Sequence, residues 1–298
     1  MHRFTLPHDV DLLASLRPLV ASSGDPTIRL RQDGVARALR TIDGVATLVV
    51  RRIGDRSFEA EAFGPGRDLA LAGAPALLGA DDDVTGFAPR AHPAVARAAH
   101  RRPGLRMIRS GRVDDVLVAT ILGQRVTTRE AARAWTMLTR QWGEPAPGPG
   151  GLRLPPSPER LAATPYWAFH PFGVERSRAE RIRSACRSIR VLQEAIDLPH
   201  DDAMRRATAV PGVGPWTAAI VLRVAGGHPD TVEVGDDGLK NDVAWALAGE
   251  PRGDDERMLE LLEPFRGHRG RVVRLLRSSG GHAPRRGPGR RVIAIDRL

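Results

Sequence analysis

Val210-Pro-Gly-Val-Gly-Pro-Trp-Thr-Ala218 is the stretch on which the fold turns. Helix-like segments at 202–209 and 216–225 flank it, and Pro211, Gly212 and Gly214 force a tight turn between them. The turn leaves the amides of residues 212–216 facing outward at a helix N-terminus. Free amides with a helix dipole behind them make an anion site, and a nucleic-acid phosphate is its natural occupant. About twenty residues later comes Gly235-Asp236-Asp237-Gly238-Leu239-Lys240, which sets an acidic pair a short way along from a backbone-gripping module.

Upstream, residues 27–63 alternate like strands, at 27–31, 36–42, 46–52 and 58–63. Asp33-Gly34, Asp43-Gly44 and Gly54-Asp55 separate them, so an antiparallel meander is expected, with a helix at 9–19 packed on it. Residues 64–89 are rich in Ala, Gly and Pro and read as a link. From His92 onward the period is helical: 113–122 is interrupted by Gly123-Gln124-Arg125-Val126, and Thr127-Thr128-Arg129-Glu130 is a capping box that starts a helix running to Trp142. Residues 143–158 read as a Gly/Pro-rich surface loop, with helices near 158–168 and 177–192 before the hairpin. Further helices follow near 237–248, 254–262 and 270–276, and the cluster Tyr166-Trp167-Phe169 is expected to build core.

A chain of 298 residues, 42% hydrophobic and 27% charged, is long enough for a sizeable core in two or three subdomains. No apolar run of about eighteen residues exists, so no membrane span is expected. Residues 1–10 lack the apolar stretch of a secretory leader, and a cytoplasmic address, at the nucleoid in a bacterium, follows as the expectation. The single cysteine, Cys186, excludes an internal disulfide framework and a cysteine-ligated iron–sulfur cluster. The nine histidines show no metal-ligand spacing, so no catalytic metal is expected. The net charge of +10 is uneven: residues 266–298 hold ten arginines against Asp296 alone. That segment reads either as a nucleic-acid contact arm or as a solvated tail. Lys240 is the only lysine in the sequence.

These features resemble the helix-hairpin-helix (HhH-GPD) DNA glycosylase superfamily, most of all its bacterial 3-methyladenine-DNA glycosylase II-like, alkylbase branch. Four separated segments carry the resemblance, in order: Ile121-Leu-Gly-Gln-Arg-Val-Thr127, the hairpin from Pro211 to Ala218, Asp236 with the apolar Leu239 three residues on, and Pro264-Phe265-Arg266. The fold it implies is mainly α, a helical glycosylase core preceded by a small α+β domain with an antiparallel sheet. The divisions are 1–88 for the N-terminal domain, 89–280 for the helical domain with its hairpin at 208–218, and 281–298 for a basic tail.

The function implied is a monofunctional DNA glycosylase that flips a damaged, alkylated purine from double-stranded DNA and hydrolyses its N-glycosidic bond. Asp236 falls at the family's catalytic aspartate. A carboxylate there stabilises the positive charge that develops on the sugar and orients the attacking water. A place at a helix N-terminus favours its negative charge, although Asp236 and Asp237 are equally suited to plain N-capping. Lyase members carry a hairpin lysine where Trp216 stands here, and Lys240 is placed instead for an ion pair or a phosphate contact. Arg125 occupies the position of the residue that fills the gap left by the flipped base, with Gln124 the next candidate; an exposed loop arginine is the plain alternative. Trp216 and Phe265 are candidate stacking surfaces or ordinary core, and Ile220 and Asp237 stand where the branch often has further pocket aromatics. Gly212, Gly214, Thr217 and Lys240 are expected at the DNA phosphates. No cofactor is expected beyond a Na+ or K+ at the backbone carbonyls of Thr208, Val210 and Val213, and the protein is expected to act as a monomer. A glycosylase for deaminated or oxidised bases, and a DNA lesion-binding protein without turnover, are the rival readings.

Overall fold

The computed structural model describes residues 1–284. Strand β1 (His2–Thr5) and helix α1 (Leu12–Leu16) precede a meander of β2 (Ile28–Arg31), β3 (Gly34–Thr41), β4 (Gly44–Arg52) and β5 (Ser57–Phe63). The sheet is antiparallel throughout, in the order β1-β5-β4-β3-β2. The expected hairpins are present; Gly34 and Gly44 are ladder residues rather than turn tips, opposite Arg31 and Thr41, while Gly54 lies in the turn between β4 and β5. A Cβ on Gly34 would lie 2.4 Å from the carbonyl oxygen of Val50, so only glycine lets β3 and β4 close there. Strand β1 pairs His2 with Ala60 and was not foreseen, being only four residues long with no alternation to mark it. Ala46, Leu48 and Val50 alternate onto the buried face of β4, where Leu12 and Leu16 of α1 join the same core.

The stretch 64–89 is more than a link. It folds into α2 (Arg67–Ala72) and α3 (Ala74–Leu77), and Ala70, Ala74, Leu77 and Leu78 are buried with the sheet. Small alanines let α2 lie close on β4 and β5. Then come α4 (Pro93–Arg101), α5 (Asp114–Leu122) and α6 (Thr128–Trp142). Apolar on nearly every side, α5 is the central helix, packed against α6. The capping box forms as read: Thr127 Oγ1 accepts from the Glu130 amide at 3.2 Å, and Glu130 Oε2 accepts from the Thr127 amide at 2.8 Å.

The 143–158 segment is not wholly a surface loop. It carries β6 (Glu144–Pro145) paired with β7 (Arg153–Leu154), and Leu152 and Leu154 are buried against Ala38 of β3. After α7 (Pro158–Ala163), a 3-10 turn (Tyr166–Phe172) buries Phe169 edge-on to Trp142 at 5.0 Å, whereas Trp167 is 62% exposed and builds no core. The single helix expected at 177–192 is broken at Ser188 into α8 (Arg176–Arg187) and α9 (Ile189–Ala195). Next come α10 (His200–Thr208) and α11 (Pro215–Val221), which runs on as a π-helical turn (Leu222–Gly226). A second core joins α4 with α12 (Leu239–Ala248), α13 (Asp255–Leu262) and α14 (Arg269–Ser278).

The basic C-terminal segment divides in two. Arg266 pairs with Glu263 at 2.7 Å, Arg269 with Asp230 at 2.5 Å, and Arg277 with Asp242 at 3.8 Å. Arg271 makes a buried two-point bridge to Asp82, at 2.6 and 2.9 Å, and Arg274 donates to the carbonyls of Ala14 (2.6 Å) and Ser15 (3.2 Å). Arg271 and Arg274 therefore tie α14 to the N-terminal part of the chain, Arg269 ties it to the loop at Asp230, Arg277 reaches α12, and Arg266 pairs within its own turn, so these five form no free arm. The other five, at 285, 286, 290, 291 and 297, and with them nearly all of the expected tail, lie outside the described residues.

Candidate functional site

The hairpin between α10 and α11 is anchored by two buried valines, Val210 and Val213, and closed by a bond from the Val213 amide to the Val210 carbonyl at 3.0 Å. Gly212 sits at φ +91°, and a Cβ there would meet the backbone oxygen and Cα of Arg181 at 3.0 and 3.1 Å, so it is required on both counts. Gly214 caps α11 at a point where a Cβ would meet nothing within 4 Å, and Pro215 takes the first helical position. The backbone on this side of the turn is open to a ligand.

The hairpin forms one wall of an open cleft of about 1390 Å³. The loop 123–128 and Arg181 of α8 form a second wall, and residues 234–238 the third. Asp236 stands in this cleft with both carboxylate oxygens held. Oδ1 accepts from the amides of Gly238 (3.0 Å) and Leu239 (2.8 Å), which cap α12, and Oδ2 accepts from the indole Nε1 of Trp216 at 3.2 Å. The capping and the catalytic readings of Asp236 are thus compatible: capping through one oxygen fixes the other toward the cleft. Asp237 is exposed on the same wall.

On the facing wall, Gln124 is braced at both ends. Its Nε2 donates to Thr217 Oγ1 at 2.9 Å, and its Oε1 accepts from Arg181 Nη1 at 2.9 Å. Next to it, Arg125 is exposed with φ +59°, the only non-glycine residue with positive φ among the described residues. The left-handed turn comes where α5 ends and α6 has yet to start.

Several of the expected site residues make other contacts in this structure. Gln124 is not free to fill a gap in a duplex, because both ends of its amide are bound. Thr217 is buried and its hydroxyl serves Gln124, so that side chain is not available to a phosphate. Phe265 lies 4% exposed in the second core beside Met258 and Leu262, and Ile220 packs against the first core; neither lines the cleft. Lys240 is half-buried on α12 and also lies outside the cleft lining. Of the residues proposed for a base pocket, the fold brings Trp216 and Asp237 together in the cleft, beside the proposed catalytic Asp236 and with Arg125 across from them.

Two features escaped the sequence. Arg181 joins the site from a helix whose sequence marks it in no way. Arg223, on the π-helical turn, forms a buried ion pair with Glu233 at 2.5 Å, tying the end of the hairpin helix to the segment that leads into Asp236. Insertion of a π-turn is recognisable only from the hydrogen-bond pattern. Among the described residues no group of three His, Cys, Asp or Glu side chains gathers as a metal site.

Comparison with known proteins places this geometry. The chain is 32% identical over 129 residues to DNA-3-methyladenine glycosylase 2 of Escherichia coli (strain K12), covering 42% of this chain and 45% of that protein. It spans less than half the length of the curated relatives it matches. In fold it is similar to a 3-methyladenine DNA-glycosylase from Archaeoglobus fulgidus, with a TM-score of 0.79 at 17% identity, covering 94% of this chain and 98% of the other. The 8-oxoguanine glycosylase/lyase of Clostridium acetobutylicum shares the fold too, with a TM-score of 0.69 at 13% identity over 94% and 99% of the two chains. The family pattern of the HhH-GPD superfamily base excision DNA repair protein matches residues 118–266, half of the chain. Because that half takes in the braced loop, the hairpin and Asp236 alike, the chain belongs to the HhH-GPD superfamily of base excision DNA repair proteins.

Proposed function

We propose that this protein is a monofunctional DNA glycosylase that releases alkylated purines from double-stranded DNA and leaves an abasic site. The observation that carries the reading is the Asp236 carboxylate held between the Trp216 indole and the α12 amides, in a cleft walled by the hairpin. Phosphates of the damaged strand lie on the open backbone at Gly212 and Gly214, Arg125 fills the space of the flipped nucleotide, and the base enters against Trp216. Asp236 then faces the anomeric carbon. As the C1′–N bond breaks, its electron pair leaves with the base, and the carboxylate stabilises the cationic sugar. Water oxygen bonds to C1′ and its proton passes to Asp236 or to solvent.

A purine alkylated on a ring nitrogen carries a positive charge and departs as a neutral molecule, with no proton to be supplied. The cleft suits such a leaving group: its lining contains no histidine or cysteine, and its carboxylates are Asp236 and Asp237. The absence of a lysine from the lining supports hydrolysis by water over Schiff-base chemistry. The carbonyls of Thr208, Val210 and Val213 belong to the cleft loop, and a set of neutral carbonyls without a carboxylate suits Na+ or K+ better than a divalent ion. We take the protein to act as a monomer; among the described residues no helix is long and apolar enough to cross a membrane.

Base release from duplexes carrying 3-methyladenine, 7-methylguanine, hypoxanthine, uracil or 8-oxoguanine tests the reading. Release of the methylated purines is expected. Release confined to hypoxanthine, uracil or 8-oxoguanine would move the protein to the deaminated or oxidised-base class that shares its fold. DNA binding with no release from any duplex would make it a lesion-binding protein.

A further inference from the structure

We propose that the arginine face of α6 is a track for the sugar–phosphate backbone of duplex DNA flanking the lesion, a surface distinct from the hairpin. The inference rests on the glycosylase reading above and adds a second DNA contact to it. Arg129, Arg133 and Arg140 fall on one face of the helix at helical spacing, with Thr136 between them. All three arginines are exposed, and none makes an ion pair or hydrogen bond among the described residues.

Arginines on several other helices are paired within the chain, while Arg97 and Arg101 on α4 are exposed and unpaired among the described residues but line neither the groove nor the cleft. Arg178, Arg183, Arg257 and Arg266 each have a glutamate three residues away on the same helix or turn. On α6 the one glutamate, Glu130, is committed to the capping box with Thr127. Like charges four residues apart weaken a helix, as at Arg129 and Arg133. The same spacing recurs at Arg97 and Arg101 of α4, so it is the place of the α6 arginines on a groove that runs into the cleft that points to an anion there.

The face borders a groove of about 470 Å³ whose lining includes the three arginines, Thr128, Thr136 and Met137 and contains no carboxylate. Thr128 also lines the cleft that holds Asp236, so the groove and the cleft are one continuous surface joined at the Arg125 loop. From Arg129 to Arg140 the helix rises roughly 16 Å, at about 1.5 Å per residue. A duplex advances about 3.4 Å per phosphate of one strand, so the face spans roughly five nucleotides. Guanidinium groups and a threonine hydroxyl suit phosphate oxygens, and a contact made to the backbone carries no sequence information.

The test is the salt dependence of binding by the full chain to duplexes with a central abasic analogue, with arms either long on both sides or cut to about three base pairs. The variant Arg129→Gln/Arg133→Gln/Arg140→Gln should bind the long duplex at least tenfold more weakly, with a log–log salt slope lower by about 2 to 3, at roughly 0.9 for each phosphate that is no longer neutralised. On the short duplex it should bind as the unaltered protein does. Arg90→Gln/Arg97→Gln/Arg101→Gln removes the same charge from outside the groove and should keep the original slope. An unchanged slope in the α6 variant, with the unaltered protein binding DNA normally, overturns the track and leaves the glycosylase reading standing. Equal losses in both triple variants reduce the effect to net charge and overturn it as well. Failure of the unaltered protein to bind duplex DNA brings down both proposals.

Discussion

Trp216 and Asp236, twenty residues apart in sequence, meet through an indole Nε1 to carboxylate Oδ2 hydrogen bond of 3.2 Å. Two backbone amides hold the other oxygen, so three donors fix the orientation of one carboxylate. A side chain pinned this way loses little freedom when a sugar approaches, which is what electrostatic stabilisation of a transition state requires.

Asp236→Asn keeps the shape and removes the charge. Single-turnover base release should fall roughly a hundredfold or more, since such groups contribute several kcal/mol, while DNA affinity changes little. The measurement is the rate constant at saturating enzyme. Near-normal turnover in this variant, together with an inactive Asp237→Asn, would shift the catalytic role by one residue.

Trp216→Phe retains an aromatic face and deletes the donor to Asp236. Loss of one hydrogen bond to a charged group, about 1.5–3 kcal/mol, predicts a drop of roughly tenfold to a hundredfold in the single-turnover rate. Combined with Asp236→Asn the loss should be far less than the product of the two, because both act through one carboxylate. A fully multiplicative loss would mean that Trp216 acts only by stacking.

Arg125 combines a proposed role in the DNA gap with a left-handed backbone. Arg125→Ala and Arg125→Gly should both reduce base flipping, read by a 2-aminopurine beside the lesion, and both defects should shrink opposite a mismatch, where less stacking must be broken. Only the glycine variant relieves the φ of +59°. Left-handed backbone costs a side-chain-bearing residue about 1–2 kcal/mol, and the freer unfolded chain of glycine returns roughly 0.5–1 of it, so Arg125→Gly should gain up to about 1 kcal/mol in denaturant unfolding. Undiminished flipping in both variants would make Arg125 a plain loop arginine.

The product should be an intact strand bearing an abasic site, and borohydride present during turnover should trap no protein–DNA adduct. A trapped adduct that disappears in Lys240→Ala would assign the protein to the lyase group.

Cys186 lies on the buried side of α8, where burial pushes its thiol up to about 12, with the charges of Asp114 and Glu159 adding to the shift. The thiolate is the reactive form, so at about pH 8 the native protein should resist Ellman's reagent and react fully only in denaturant. Fast labelling of the native protein would show that α8 opens locally.

What the sequence settled by itself is whatever a few neighbouring residues decide. The hairpin follows from Pro211, Gly212 and Gly214, the start of α6 from the Thr127–Glu130 box, and the meander from alternation broken by Asp-Gly pairs. Each rests on backbone sterics or on a hydrogen bond three residues long, and the spacing of these signals was enough to point to the family. The site was legible only in part. Trp216 and Asp236 were marked, but their contact depends on α11 and the 233–238 segment arriving at the same place, which no local rule dictates. Phe265 and Ile220 looked like pocket residues, because an apolar side chain beside a motif reads the same whether it faces a cleft or a core; the packing of α13 and α14 turned Phe265 inward. Gln124 was marked only as the next candidate after Arg125, and its two partners, Arg181 from α8 and Thr217 from α11, come from far along the chain. Nor could charge counting tell the five arginines of 266–277, bound to partners as distant as Asp82 and Ala14, from those of a free arm. Local chemistry fixes the elements, but which side chains end up facing one another is set by long-range packing, and only the tertiary structure decides it.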